Sequence, residues 1–473
     1  MAKYYVTTPI YYINAKAHIG HAYTTIAADV LARYHRQQGD EVLFSVGTDE
    51  NSQKTVKAAE SAGQSVGEYA DAMALNWKEV WDRLDISYDR FIRTTEDLHQ
   101  HSVNALFQRL KAQGDIYKDT YSGLYCEGCE GFLRKTDLVD GLCPDHQKPP
   151  QEIEEENYFF ALSRYQDRLL EYINENPDFI KPESRRNEVV AFITRGLDDF
   201  SISREGGGWG MPYPDDSTHT IYVWVEALIN YLTVAGYPNE GYEKYWPADV
   251  HLVGKDIIKF HCVYWPALLM SAGLPLPETV MANGFLNVGG TKISKSIGNV
   301  IDPLQLADEY GPDALRYILL KGTPFGQDGD FTMERFEAIY NSDLADDLGN
   351  LVSRVAAMIA KYQGGLIGVD GDAAHDTNKF HEAIENFQFE KALEEISVFT
   401  KDLNLYIEQE KPWEVAKEDS EHLQEILGYL ATNIVHLAHL LEPFMPQTAA
   451  KISNMFSTGK LEQSEGTLFP KKQ

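Results

Sequence analysis

His18-Ile19-Gly20-His21 stands between an apolar, strand-like run, Tyr4-Tyr5-Val6-Thr7-Thr8, and a helix-like run from Ala22 to about Gln38. The order strand, turn, helix start decides how the rest of the chain is read. A helix N-terminus presents free backbone N–H groups and the positive end of a dipole, which suits phosphate. A glycine there lets a ligand approach the backbone. Histidines donate hydrogen bonds to phosphoryl oxygens without holding a permanent charge. On its own, the four-residue match reads more simply as two histidines at a helix start.

Working outward, apolar residues recur at Ile26, Val30, Leu31 and Tyr34, and Gly39 supplies a stop. Glu41-Val42-Leu43-Phe44-Ser45-Val46 then reads as a second strand, ending at Gly47-Thr48-Asp49-Glu50. Strand, helix, strand at this spacing is a βαβ unit with a parallel sheet. Ligands of such sheets bind at the C-terminal ends of the strands, where the histidine turn and Asp49 both fall. Asp49 is equally well read as the partner of a substrate ammonium or as a loop acid. A distant loop, Lys292-Ile293-Ser294-Lys295-Ser296, is flanked by Gly289-Gly290 and Gly298. Its lysines and serines suit a polyphosphate, or simply a solvated surface.

The chain has 473 residues, enough for two or three domains, and a 43% hydrophobic content that supports an ordinary globular core. No apolar run reaches transmembrane length and the opening residues lack a signal-peptide pattern, so a soluble cytoplasmic protein without a membrane partner is expected. The net charge of −30 counts against a polyanionic partner in bulk, although binding depends on local patches. Cys126, Cys129, Cys143 and His146 lie in two Cys-x-x-ligand turns. Three thiolates and an imidazole match a closed, tetrahedral, structural Zn²⁺ site, with a metal-free cluster of reduced cysteines as the alternative.

Further along, helices are expected at about 66–84 and 98–113. The sheet is expected to resume at Thr220–Val225, after an interruption of about a hundred residues that holds the cysteine turns. Strand-like runs follow at Val250–Val253 and Val280–Leu286. After Asp330 helical spacing dominates, over 336–362, 377–407 and 421–441. In the last segment Leu423, Ile426, Leu427, Leu430, Ile434, Leu437 and Leu441 form one apolar face, which predicts an antiparallel helical bundle. Lys411-Pro412-Trp413 places an indole at a helix junction, as core or as a stacking platform for a base.

Taken together, the motifs resemble the class I aminoacyl-tRNA synthetases and, within them, the methionyl-tRNA synthetase family. The ordered set runs through Thr8–Tyr12, His18–His21, Gly47–Glu50, the cysteine turns, Arg186–Val189, Asp199–Arg204, Tyr222-Val223-Trp224, Gly254-Lys255-Asp256, Phe260-His261, Lys292–Ser296, Asn350–Arg354 and Lys411–Trp413. The pattern is similar to the shorter bacterial form with one zinc knuckle. The resemblance implies activation of L-methionine by ATP with Mg²⁺, then transfer to tRNA(Met), initiator tRNA included. It implies His18, His21, Lys292 and Lys295 as catalytic groups, with Gly20, Gly254, Asp256 and Ser294 also holding ATP. It implies a methionine pocket of Ile10, Tyr12, Asp49, Trp224, Ala227, Tyr231, Ile257 and His261, and anticodon contacts from Asn350, Arg354 and Trp413.

The architecture so implied is α/β. An interrupted Rossmann-type parallel sheet (1–115 and 219–285) carries an inserted connective domain with the zinc knuckle (116–218). A stem-contact region (286–345) and an α-helical anticodon-binding domain (346–473) follow. The chain ends soon after Phe469-Pro470, without the extra module of some members, which implies a monomer. Two positions depart from the family pattern. Asn51-Ser52 stand where His-Gly is usual, and Glu226 where Asp is usual. Synthetases for valine, isoleucine or leucine share both signatures but need a much larger insertion. A cysteine-specific enzyme needs an open zinc site at the pocket. A tRNA-binding protein without catalysis would not need His18, His21, Lys292 and Lys295, and a small-molecule nucleotidyltransferase would not need the helical bundle.

Overall fold

The computed structural model describes residues 2–126, 131–133, 135–144, 147–206, 208–293, 298–367, 375–456, 459–461 and 467–472. The chain divides into two compact units. The first comprises Met1–Lys16, Gly39–Glu79 and Tyr88–Ala282, and the second Ala17–Gln38, Val80–Ser87 and Asn283–Gln473.

The first unit is built on a seven-stranded sheet. Its order is Tyr11–Tyr12, Glu41–Asp49, Lys3–Thr7, Val250–Gly254, Thr279–Asn283 and Ile180–Lys181, with Arg90–Arg93 also paired to Glu41–Asp49. Lys3–Thr7 pairs in parallel with both Glu41–Asp49 and Val250–Gly254, as the βαβ reading requires. Central strands of such a sheet are buried on both faces, and the burial of Tyr4, Tyr5, Val6 and Thr7 accords with that. A separate antiparallel sheet joins Ile116–Cys126, Gln151–Phe160, Gly131–Leu133 and Phe200–Ser201.

The expected resumption of the main sheet at Thr220–Val225 is corrected. The strand there is Asp216–Ile221, and it pairs antiparallel with Ser203–Glu205 and Pro212–Tyr213 in a small sheet of its own. The chain then turns into a helix at Val223–Leu228, which places Trp224 on a helix. β-branched and aromatic residues favour a strand locally, but burial of Val223, Val225, Glu226, Ala227 and Leu228 decides for the helix. The parallel sheet resumes at Val250–Gly254, and Ile180–Lys181 from within the expected insertion forms an outer strand beside Thr279–Asn283.

The second unit is mainly helical, with a small sheet of Leu286–Val288, Thr291–Lys292 and Gly329–Phe331. The segment expected at 336–362 is continuous but mixed: Met333–Ile339, a π-helical stretch Tyr340–Gly349, then Asn350–Gln363. The segment expected at 377–407 is two helices, Asn378–Glu385 and Phe389–Glu410, broken where Phe387 takes a φ of 57°. Ser420–Leu441 buries the apolar face read from its spacing.

The helix Ile19–Gln37 belongs to this second unit, and a buried charge fastens it there. Asp29 is fully enclosed and accepts from Arg316 Nη2 at 2.6 Å, from Arg33 Nε at 2.8 Å, and from the backbone N and Oγ of Ser87 at 2.6 Å each. Arg316, also fully enclosed, donates further to the carbonyls of Phe444 and Pro443 at 2.8 and 2.9 Å. Burial opposes the charged carboxylate, but Arg316, Arg33 and Ser87 outweigh it and hold Asp29 below the usual carboxylate range. Removing one partner of such a pair leaves a buried charge uncompensated, which costs about 3–5 kcal/mol. Asp29→Ala is therefore expected to lose stability on that scale in urea unfolding followed by circular dichroism. A loss under about 1 kcal/mol would show the pair to be dispensable.

Candidate active site

His18 is the cap of the helix Ile19–Gln37, and its cap is reciprocal. His18 Nδ1 accepts from the backbone N–H of Gly20 at 3.1 Å, and His21 Nδ1 accepts from the backbone N–H of His18 at 3.1 Å. Each ring uses Nδ1 as an acceptor, so each carries its proton on Nε2. The rings stack with centroids 3.7 Å apart, and two charged imidazoliums would repel at that distance. Burial pushes His18 down to about 4, and burial together with His18 holds His21 well below its ordinary value. The turn thus holds two neutral N–H donors at a helix start. The first helical turn contains no acidic residue, in a chain of net charge −30. The end that attracts anions is left without a competing carboxylate.

Gly20 leaves room for this geometry. A Cβ there would lie 3.0 Å from His18 Cε1 and 3.1 Å from Nδ1, so the capping ring would have to give by a few tenths of an ångström. It would also lie 3.7 Å from Ile293 Cδ1, and the backbone N–H of Ile19 donates to the carbonyl of Ile301 at 3.1 Å. The histidine turn and the arms of the lysine loop are therefore neighbours within the second unit. The Lys292 side chain, Ser294 and Lys295 lie outside the described residues.

In the first unit, the residues expected to hold methionine form two contiguous groups at the ends of the parallel strands. Tyr12 is paired across from the buried Asp49 in the sheet, and its ring meets Trp224 edge-on with centroids 6.1 Å apart. Ala227 lies buried one turn beyond Trp224 on the same helix. Trp224 stacks flat on Phe260, centroids 4.1 Å apart and planes 7° from parallel. In the second group, His261 Nδ1 bonds the Ile257 carbonyl at 3.1 Å, which leaves Nε2 to accept from Tyr231 Oη at 2.8 Å. Burial pushes His261 down to about 4, so it stays neutral. Ile10 lies against the strand backbone, where a Cβ on Gly47 would sit 3.0 Å from it. A Cβ on Gly254 would come within 2.6 Å of Asp256 Oδ1, so this carboxylate folds back over the glycine and would have to swing aside for a larger residue.

The sequence assigns no role to three groups that the structure places here, although Phe260 and Glu50 fall within motifs quoted above. Phe260 opens a π-helical turn, Phe260–Tyr264, a deviation common at functional sites and invisible to a period of 3.6. His251 bonds Thr7 Oγ1 at 2.7 Å and lies 4.2 Å from Tyr231, ring to ring. Glu50 is fully buried and takes Arg93 bidentately at 2.8 and 3.1 Å, while its carbonyl accepts from Trp209 at 2.7 Å. The two departures from the family pattern meet each other: Asn51 Nδ2 donates to Glu226 Oε1 at 3.0 Å.

Among the expected zinc ligands, Cys126 and Cys143 are buried reduced thiols, and Cys129 and His146 lie outside the described residues. No group of three metal-ligating side chains occurs among the described residues. Of the expected anticodon residues, Asn350 is exposed at the start of its helix and Arg354 follows one turn later. Arg354 Nη2 bonds Glu408 Oε1 at 2.7 Å, five residues before Trp413 in the chain. Trp413 is 37% exposed, which argues against a core role. No helix among the described residues is long and apolar enough to cross a membrane.

A family model described as "tRNA synthetases class I (M)" matches residues 4–152 and 146–356, and one described as "Anticodon-binding domain of tRNA ligase" matches 373–471. The fold is thus that of a class I aminoacyl-tRNA synthetase. The methionine–tRNA ligase of Caldanaerobacter subterraneus subsp. tengcongensis is 48% identical over 465 residues, 95% of this chain and 73% of the relative. That of Streptomyces coelicolor is 48% identical over 477 residues, 95% and 88% of the two chains. The Mycobacterium tuberculosis methionyl-tRNA synthetase in complex with methionyl-adenylate superposes with a TM-score of 0.93 at 40% identity, covering 99% of this chain and 100% of that one. The chain belongs to the methionyl-tRNA synthetases.

The neutral histidines set a pH limit. His18, His99 and His261 are each pushed by burial from 6.5 to about 4, so between those values the unfolded chain binds protons that the folded chain does not. Their contribution to stability is complete above pH 6.5 and is lost as pH falls towards 4. The melting temperature is expected to fall steadily through that window. A flat profile would contradict the neutral assignment.

Proposed function

We propose that this chain activates L-methionine with ATP, giving methionyl-adenylate and pyrophosphate, and then passes the methionyl group to the 3′ adenosine of tRNA(Met), initiator tRNA included. The observation that carries the reading is the pair of neutral, Nε2-protonated histidines capping a helix free of acids in its first turn, in a chain of this family. The methionine carboxylate attacks the α-phosphate, and no side chain needs to form a covalent bond. His18 and His21 donate to phosphoryl oxygens, Gly20 admits the phosphates, and Gly254 and Asp256 contribute to the nucleotide site. Lys292 and Lys295, with Ser294, offset charge on the departing pyrophosphate. Mg²⁺ accompanies the ATP. Loss of one such contact typically raises the barrier by about 3–4 kcal/mol.

Methionine offers a weak sulfur acceptor and apolar surface, so shape must do most of the selecting. Trp224, Tyr12, Ile10, Ala227, Ile257, Tyr231 and His261 supply that shape, and Asp49 takes the α-amino group. Asn350, Arg354 and Trp413 read the anticodon, the indole by stacking. The domain division given by the resemblance, a monomeric state and a cytoplasmic location complete the reading.

The test is ATP–pyrophosphate exchange with each of the twenty amino acids offered separately. Methionine alone is expected to support exchange, and exchange with another amino acid would overturn the pocket assignment. Loss of base stacking costs about 1–3 kcal/mol. Trp413→Ala is therefore expected to lower aminoacylation about tenfold while leaving methionine-dependent exchange within about twofold. Equal losses in both assays would remove Trp413 from the anticodon site.

Cys126, Cys129, Cys143 and His146 are proposed to hold one structural Zn²⁺. The donor chemistry fits: Cys126 and Cys143 are 4% and 0% exposed, and Cys143 lies in a tight turn closed by Gln147 N–H at 2.8 Å. Metal analysis is expected to find one zinc per chain, and a chelator to lower the melting temperature. Zinc-free protein with an unchanged melting temperature would refute the site.

A further inference from the structure

A chain of directed hydrogen bonds runs from Asn51 into the core of the first unit. Glu226 and His99 are 0% exposed and Thr233 is 1% exposed. Thr233 Oγ1 donates to the Ile229 carbonyl at 3.2 Å, which spends its only hydrogen. In that arrangement it accepts from His99 Nδ1, 3.0 Å away. With its proton on Nδ1, a neutral His99 accepts at Nε2, and the group 2.8 Å from Nε2 is Glu226 Oε2. The same arrangement closes this contact with a proton on Oε2. The other oxygen, Oε1, accepts from Asn51 Nδ2 at 3.0 Å, and Asn51 spends its second hydrogen on the Thr94 carbonyl at 3.2 Å.

We infer that Glu226 is held in the fold as a neutral carboxylic acid and is a positioning residue for methionine: its O–H is fixed by His99, and its carbonyl oxygen fixes Asn51. Through these bonds it sets the distance between the turn that follows Asp49 and the helix that carries Trp224 and Ala227. Those elements are two sides of the proposed methionine pocket, so the inference rests on the function proposed above.

Charges around the pair favour the neutral form. Burial pushes Glu226 up to about 8, against the Asn51 hydrogen bond and with help from the neighbouring Glu50 carboxylate. Burial pushes His99 down to about 4, against a hydrogen bond to the Glu226 backbone and the charge of Glu96. The alternative, an imidazolium beside a carboxylate, takes two charges out of water for one contact. A carboxamide, by contrast, reproduces the neutral acid, since Gln donates from Nε2 and accepts at Oε1.

The test compares methionine-dependent ATP–pyrophosphate exchange for the full chain and for Glu226→Gln, Glu226→Ala, Asn51→Ala and the double alanine variant, with circular dichroism as the check on folding. Glu226→Gln is expected to keep the KM for methionine within about twofold of the parent. Glu226→Ala and Asn51→Ala are expected to raise it about tenfold or more, leaving the KM for ATP within about twofold, since each strands a buried polar group. The double variant is expected to be no worse than Glu226→Ala alone. A Gln variant as impaired as the Ala variant would mean that the carboxylate charge is needed, and would overturn the inference. Equal rises in both KM values, or no rise in either, would reduce the network to a structural one and also overturn it. Where Glu226→Ala does not fold, Asn51→Ala decides in the same way. A parent chain with no exchange for any amino acid would overturn the functional reading and the positioning role together. Nitrogen-15 shifts of His99 in the parent are expected to show a proton on Nδ1 and none on Nε2 near neutral pH, whatever the activity. A proton on Nε2, alone or beside one on Nδ1, would overturn the neutral acid by itself.

Discussion

One buried carboxylate sets the conditions for the histidine turn. Asp29 gathers Arg316, Arg33 and Ser87 around a helix whose first residue follows His18. A helix end that attracts phosphate is useful only where the helix cannot shift when the anion arrives or leaves. The ion pair is well suited to that purpose because it is directional. Its oxygens accept from Arg316 and Ser87, on two segments outside the helix, so sliding the helix by a fraction of a turn breaks several bonds together. Apolar packing alone tolerates such shifts better. The price is a deeply enclosed charge pair, which adds definition of position more than it adds net stability.

The electrostatics of the chain become less puzzling when viewed locally. A net charge of −30 opposes ATP and tRNA at long range. Screening confines that repulsion to about 8–10 Å at physiological salt, and the contacts that matter lie inside that distance. At the helix start, acids are absent and neutral imidazoles present N–H groups. Neutral donors suit a site that must also release a charged product, since each contributes less than a fixed cation. Glu50, the acid next to Asp49, is already bound on both oxygens by Arg93, Thr48 and Thr95. This leaves its charge largely spent within the protein.

Much of this was legible in the sequence, and the pattern of what was not is physical. The βαβ opening, the helical C-terminal region and the apolar face of Ser420–Leu441 follow from periodicity, which is a local property. Trp224 was assigned to a strand because Thr220–Val225 is rich in β-branched and aromatic residues, whereas contacts distant in sequence make it helical. The breaks at Phe387 and at Tyr340–Gly349 carry no glycine or proline signal strong enough to read. Asp29 looks like one polar residue on a mostly apolar helix, and Arg316, its partner, is nearly three hundred residues away. His99 carries no sequence signal, and Phe260 no assigned role, for the same reason, since their significance lies entirely in what faces them.

The contact between Asn51 and Glu226 changes how the chain's two departures from the family pattern are counted. Histidine reaches further from the backbone than asparagine, and glutamate further than aspartate. A long side chain opposite a short one has been replaced by a short one opposite a long one, with the combined reach across the gap nearly kept. Either exchange alone would leave the gap overfilled or leave a buried polar atom stranded. The two positions then act as one contact across the gap, and a change at either is felt at the other.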